Sequence, residues 1–247
     1  MAASADINVP NGGTVSLNGS SVDLGCSDVI VAGTLSLQGG SLNNVRNVSI
    51  AAGGSIVAGS GSITLAGDWS NSGSFDAGTG SVNFVDAPAC VPANTGSNIS
   101  GNNTFATLSL ISAGGKLYKF AAGSTQNVLQ QLTITGTPAL AIRVQSSVVG
   151  QRAFVNLSGL QTMADLAVAD MGASGRWLAP YLINRNSAGS VTRWFGDPFA
   201  AVVVPALGPS QLLGLSALLL LLGFGAKRRF RAFGHVDCKS NTRNVQD

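Results

Sequence analysis

The sequence predicts an all-β fold, a parallel β-solenoid of about 20-residue coils, followed by one C-terminal transmembrane helix. Three observations carry that expectation. A Gly-[Ser/Thr]-apolar triplet recurs at a regular interval through residues 1–95. Charged residues are only 10% of the 247-residue chain, and no Glu occurs. Near the end, eight leucines fall within the eleven residues Leu212 to Leu222, and four cations follow within five.

The triplet opens at Gly13, Gly33, Gly40, Gly54, Gly61, Gly73 and Gly80. Three pairs (33/40, 54/61 and 73/80) are seven residues apart, and the leading members 13, 33, 54 and 73 keep a period of about 20. The stacked units read GTVSLNGSSVDLGCSDVIVA, GTLSLQGGSLNNVRNVSIAAG, GSIVAGSGSITLAGDWSNS and GSFDAGTGSVNFVDAPACVPAN. A unit this short cannot bury its own apolar face, whereas stacked units share one core. The corner glycines are expected to supply positive φ. An antiparallel sandwich also has short strands every ~8–12 residues, but it leaves the paired seven-residue spacing unexplained.

From 96 to 200 the glycine interval loosens, while a second pattern, apolar-x-x-apolar-x-apolar, persists. It appears as Val45-Val48-Ile50, Phe105-Leu108-Leu110, Leu129-Leu132-Ile134 and Met163-Leu166-Val168, implying longer, less regular coils. Trp194-Phe195 reads as a cap over the end of the solenoid, where an open strand edge would invite aggregation.

Residues 201–209 form a linker with Pro205 and Pro209, which stop the following helix from extending backwards. The uncharged stretch 210–226 would span about 25 Å as a helix, close to the ~30 Å of a bilayer core. Eight leucines at roughly −0.5 kcal/mol each favour its insertion by about 4 kcal/mol. Lys227, Arg228, Arg229 and Arg231 then form a basic stop-transfer cluster, which places the tail 227–247 in the cytoplasm and the body outside. An exported body needs a leader. The start MAASADINVP has no apolar stretch, and Ala3-Ser4-Ala5 reads as the small-residue end of a signal peptide, so the true start is expected upstream.

The V-P-A-L turn of Val204, Pro205, Ala206 and Leu207, the Leu-rich span and the Arg cluster resemble the IPTL-CTERM class of bacterial sorting tails, relatives of the PEP-CTERM tails handled by exosortases. The likeness covers about 30 residues. Gly208-Pro209-Ser210-Gln211 stands where that class usually carries Glu-Trp-Gly, and the tail runs on for the 16 residues Ala232 to Asp247. The resemblance implies a membrane-embedded, exosortase-like sorting protease as partner and cleavage near residues 204–207. The stretch 103–196, with LTITGT and the closing RWFGDP, resembles the β-helical part of bacterial surface and autotransporter-like proteins. It implies the same fold and an envelope location.

Charge excludes a nucleic-acid surface on the body. Residues 1–205 hold 8 Lys+Arg against 9 Asp, and residues 206–247 hold 6 against 2, so the positive balance belongs to the tail. The lone His235 and the spacing of Cys26, Cys90 and Cys238 give no zinc site, and Cys238 would be cytoplasmic and reduced. Cys26 and Cys90 would sit outside, in the first and fourth units, about 14 Å apart along the axis. A disulfide between them requires the Pro88–Pro92 loop to fold back.

Asp165 and Asp170 are the best carboxylate pair, but an odd separation of five sends them to opposite faces of a strand. They read as strand-end aspartates, and Asp23, Asp28, Asp68, Asp76 and Asp86 as corner residues. The repeat lacks the Gly-Gly-x-Gly-x-Asp pattern of a Ca²⁺-binding solenoid. GSGS and GTGS are corners rather than phosphate cradles, and the Asn-x-Ser/Thr sequons at Asn18, Asn47, Asn98, Asn102 and Asn156 are what so Asn- and Ser-rich a chain produces by chance. The expectation is therefore an exported surface or matrix protein, structural or adhesive, with no catalysis, cofactor or metal. It would start in the inner membrane with its C-terminus inside, and would face the lipid bilayer and surface polysaccharide as partners. Two alternatives stand beside it. One is a carbohydrate-active enzyme on the same fold, for which several Asp with Arg143 or Arg152 in one groove would speak. The other is a single-span membrane protein that is never processed.

Overall fold

The computed structural model describes residues 6–92, 95–186 and 188–196. The spans read as sorting motif (204–207), transmembrane helix (210–226) and basic cluster (227–231) all lie outside them. Among the described residues there is no helix, and none therefore that is long and apolar enough to cross a membrane.

The first coil carries β1 (Ile7–Val9), β2 (Thr14–Ser16) and β3 (Ser21–Asp23). The second repeats the plan with β4 (Val29–Val31), β5 (Thr34–Ser36) and β6 (Ser41–Val45). The third has β7 (Val48–Ile50), β8 (Ser55–Val57) and β9 (Ser62–Leu65), and the fourth β10 (Trp69–Asn71), β11 (Ser74–Asp76) and β12 (Ser81–Phe84). Later coils use longer strands: β13 (Ser97–Ser100) with β14 (Asn103–Ile111), then β15 (Leu117–Phe120) with β16 (Thr125–Thr135). They are followed by β17 (Ile142–Ser146), β18 (Ala153–Leu157) and β19 (Leu160–Ala164), by β20 (Leu166–Ala169) and β21 (Met171–Ala173), and by β22 (Val191–Thr192).

Equivalent strands of successive coils pair in parallel and build three sheets. The first, of eight strands, runs β1-β4-β7-β10-β13-β15-β17-β20; the second joins β2, β5, β8 and β11; the third, of ten, runs from β3 to β22 with β19 set beside β16. The expected parallel β-solenoid is thus present, with about eight turns. In the first four coils the register advances by about 20 residues per coil, as in Ile7↔Val29, Val29↔Val48 and Val48↔Trp69.

Each triplet opens a strand, and in five of the seven its apolar member is buried, Val15 of the first coil being exposed and Phe75 partly buried. Leu35, Leu42, Ile56, Ile63 and Val82 are all buried in one continuous core. Burial of each such side chain contributes about 1.5–3 kcal/mol relative to exposure.

The reason for the glycines differs from the expectation. None of the seven triplet glycines has positive φ; the left-handed residues are those just before them, such as Gly12, Gly39 and Gly53. The triplet glycines instead form columns with no room for a side chain. A Cβ on Gly33 would lie 2.2 Å from the Gly13 carbonyl oxygen, on Gly54 2.3 Å from that of Val31, and on Gly73 2.3 Å from that of Gly54. We expect Gly54→Ala to cost about 2–3 kcal/mol through this backbone overlap. Gly53→Ala, at φ +84° in open space, should cost only about 1 kcal/mol for its left-handed backbone. Urea midpoints of the two variants, compared side by side, check the difference.

From β14 onward a corner straightens. One strand, β16, pairs with β18 through residues 125–128 and with β19 through 131–135, so it covers two faces that earlier coils divide. A register shift between Phe105 and Thr107 of β14 accompanies this and moves the inward position from Leu129 to Val128. Leu129, expected inside, is 48% exposed. The chain after β21 packs against the last coils through Leu178, which bridges to Trp194. Trp194 is buried, and Phe195 packs against the core beside it.

Candidate functional site

Along one edge of the first sheet, side-chain oxygens of one coil accept backbone N–H groups of the next. Asp6 Oδ1 accepts from Asp28 N (2.9 Å), Asp28 Oδ1 from Asn47 N (3.1 Å), Asn47 Oδ1 from Asp68 N (2.8 Å) and Asp68 Oδ1 from Asn98 N (2.7 Å). These Asx residues satisfy corner donors that no strand partner reaches. Asp28 is further held by Arg46, whose Nε and Nη2 donate to its two oxygens at 2.8 and 2.7 Å. The guanidinium keeps the Asp28 carboxyl below the usual carboxylate range, against the opposing cost of partial burial.

A lowered folded-state pKa gives stability that is present above the ordinary value near 4 and is lost as pH falls through the lower folded value. Asp170 acts in the same direction. Its carboxylate accepts the backbone N–H groups of Ser190 (2.9 Å) and Gly150 (3.0 Å), which lower its pKa. We expect Asp28→Asn, which keeps the acceptor for Asn47 but loses the charge, to flatten the fall of the thermal midpoint as pH drops below about 4.

The remaining candidate residues have local partners. Asp165 and Asp170 flank β20 in left-handed turn conformations. Asp165 pairs with Arg185 at 3.0 Å, an exposed contact worth about 0–1 kcal/mol. Arg143 donates to the Gly115 carbonyl oxygen and Arg152 to Ser190 Oγ. Asp23 accepts from Gly25 N and Asn44 Nδ2, and Asp76 from Gly78 N. No group of three His, Cys, Asp or Glu close enough to hold a metal ion occurs among the described residues. Two sequons, Asn47 and Asn98, belong to the edge ladder, and the Asn102 side chain accepts from Thr125 N.

Cys26 and Cys90 are joined by a disulfide with their Cα atoms 4.9 Å apart. The Pro88–Pro92 loop folds back to make the bond, crossing the edge of the stack near Arg46, Asn47 and Asp68, with which it lines a polar hollow of about 230 Å³. The loop is shaped by its own hydrogen bonds, Cys90 N and Val91 N both donating to the Ala87 carbonyl oxygen.

The outer face of the third sheet is the most regular surface of the body. One column runs Ser21, Ser41, Ser62, Ser81 and Thr107, and a second Thr64, Asn83, Ser109, Thr133 and Thr162, each in direct register, with Ser109 buried and the other nine at least partly exposed. Neighbours along a column are about 4.8 Å apart and the columns about 6–7 Å apart. Side chains are linked along and across: Ser41 Oγ donates to Ser21 Oγ at 2.7 Å, and Asn83 Nδ2 to Ser81 Oγ at 3.2 Å. None of these ten positions carries a charge or an aromatic ring.

Inside, two polar residues were not legible as core. Asn103 Oδ1 accepts from Trp69 Nε1 at 3.0 Å, and Asn103 Nδ2 donates to Gln126 Oε1 at 2.7 Å, with both amides buried. The two stack in register across β14 and β16, so one amide satisfies the next. The chain matches no family model, no curated protein and no solved structure.

Proposed function

We propose that this chain is an exported envelope protein whose β-solenoid serves a structural or adhesive role at the cell surface. The observation that carries the reading is the uncharged, two-column Ser/Thr/Asn face, a repeating hydroxyl and amide array suited to lying against surface polysaccharide. The Cys26–Cys90 bond supports it, since disulfides persist in oxidising compartments. So does the engagement of Asp165, Asp170, Arg143 and Arg152 with backbone and turn partners rather than with one shared groove. In this reading, Val204–Leu207 is a sorting motif, 210–226 the membrane span and 227–231 the stop-transfer cluster, handled by an exosortase-like protease.

Intact mass and terminal peptides of the native protein, taken from separated membrane, surface and medium fractions, test the proposal. A surface form ending near Leu207 is expected. A full-length form confined to the membrane, with Cys238 peptides recovered, would overturn the sorting step and leave an ordinary anchor.

A further inference from the structure

The loop bridged by Cys26–Cys90 closes a second, smaller cavity. It has a volume of about 130 Å³ and is lined by Asp86, Ala87, Pro88, Val91 and Pro92, with Lys116 opposite. Apart from Lys116, every lining residue belongs to the segment that Cys90 ties to the first coil.

Lys116 is an unusual residue to find there, because lysines are almost never buried without a carboxylate partner. It is 4% exposed. Its Nζ donates to the Ala66 carbonyl oxygen and stands 5.4 Å from the centroid of the buried Tyr118 ring. The floor of the cavity is fixed independently of the loop backbone. Lys116 N donates to Ser112 Oγ (2.8 Å), Ser112 Oγ donates to Asp86 Oδ2 (3.0 Å), and Gly114 N donates to the same oxygen (3.0 Å). The walls from Ala87 to Pro92 are largely apolar and held by bonds internal to the loop. Burial lowers the Lys116 pKa, while the Asp86 and Asp68 charges oppose it, so the amine loses its proton more readily than a solvated lysine.

We propose that Lys116 is a masked amine-modification site: the disulfide-held loop shields it in the oxidised protein, and reduction of Cys26–Cys90 opens it to small activated acyl donors. In the reaction the neutral Nζ attacks the acyl carbon. A C–N bond forms, the bond to the leaving group breaks with its electron pair, and the amine proton passes to solvent. The product is a neutral amide, which removes a buried positive charge. Opening consumes a disulfide reductant such as a phosphine and one water: the phosphine takes the water's oxygen to become the phosphine oxide, and the two hydrogens end on the two sulfurs as thiols.

The test treats the full chain with the N-hydroxysuccinimide ester of acetate, with and without a water-soluble phosphine, and reads acetylation rates by peptide mass spectrometry. Lys119, half-buried on the outer face of β15, is the internal reference. In the oxidised protein Lys116 should react at least about tenfold more slowly than Lys119, and after reduction its rate should rise by about tenfold or more while Lys119 stays constant. Cys90→Ser should show the fast rate without reductant. Hydrogen exchange of the β7–β9 amides is followed in parallel, and these should stay protected. Three results would overturn the proposal: an unchanged Lys116 rate once both thiols are free, equal rates at the two lysines before reduction, or acceleration only together with loss of β7–β9 protection.

Discussion

Trp69→Ala is expected to cost about 3–5 kcal/mol, the largest loss from any single truncation in the body. Trp69 is wholly buried and lies at the change from three-strand to two-strand coils. Its ring meets Phe75 at 4.9 Å and Phe105 at 5.6 Å between centroids, both edge-on. Such pairs add about 0.5–1.5 kcal/mol to the area they bury. The indole N–H also anchors Asn103, whose amide continues to Gln126. Trp69→Phe separates the two contributions. It keeps a ring but removes the donor, while Asn71 Nδ2 still donates to Asn103 Oδ1 at 2.9 Å. We expect it to lose about 1–2 kcal/mol. Equilibrium urea unfolding of both variants gives the comparison, and equal losses would mean that the polar link, rather than packing, dominates.

Loss of the disulfide is the second large effect. Cys26 and Cys90 are separated by 64 residues, and a loop of that size constrains the unfolded chain by about 4 kcal/mol in the chain-entropy model. Cys26→Ser/Cys90→Ser should therefore lower the urea midpoint strongly and steepen the slope, because the unfolded chain without the cross-link exposes more surface. The span explains why: the bond ties the segment after β12 to the turn after β3, so unfolding the second, third or fourth coil leaves the ends joined. A much smaller loss would show that the reduced unfolded chain already holds these ends together.

The sequence makes the spacing of the coils legible but not their reasons. The triplets locate β2, β5, β6, β8, β9, β11 and β12, because each requires a small residue beside a neighbouring carbonyl and an apolar residue two positions later. That the glycines answer to close stacking rather than to φ can be known only when Gly54 is seen under Val31. The apolar-x-x-apolar-x-apolar pattern hides two local structures. In Val45-Val48-Ile50 and Met163-Leu166-Val168 it crosses a turn between two strands, whereas in Phe105-Leu108-Leu110 it lies within one strand carrying an irregularity. Leu129 fits the pattern yet faces outward, since one extra residue reverses the alternation. The edge ladder was invisible for a different reason. Asp and Asn are mixed in it, and its intervals vary with each loop, so no fixed period marks Asp6, Asp28, Asn47, Asp68 and Asn98 as one column. Nothing in the sequence marks Asn103 and Gln126 as core, because burying an amide costs free energy unless it is hydrogen-bonded, and their pairing appears only from the register of β14 on β16.

The glycine columns and the edge ladder together separate the length of this body from its cross-section. Between the second and fourth coils, the top of each coil offers what its bottom requires: a bare glycine beneath a carbonyl, an Asx oxygen beneath an amide, and a Ser or Thr beneath a Ser. Any one of these coils can in principle sit on any other without an unmatched group. Duplication or loss of a whole coil there changes the reach of the molecule by about 4.8 Å and leaves every stacking contact between coils of the same kind, while the Pro88–Pro92 loop must adjust its reach to Cys26. The straightened coils after β13 offer no such freedom, because the Asn103 and Gln126 amides bond to each other and to Trp69, Asn71 and the turn at Gly101, a set that no other coil repeats. Variation in extent is thereby confined to the N-terminal half, and the C-terminal half sets where it ends.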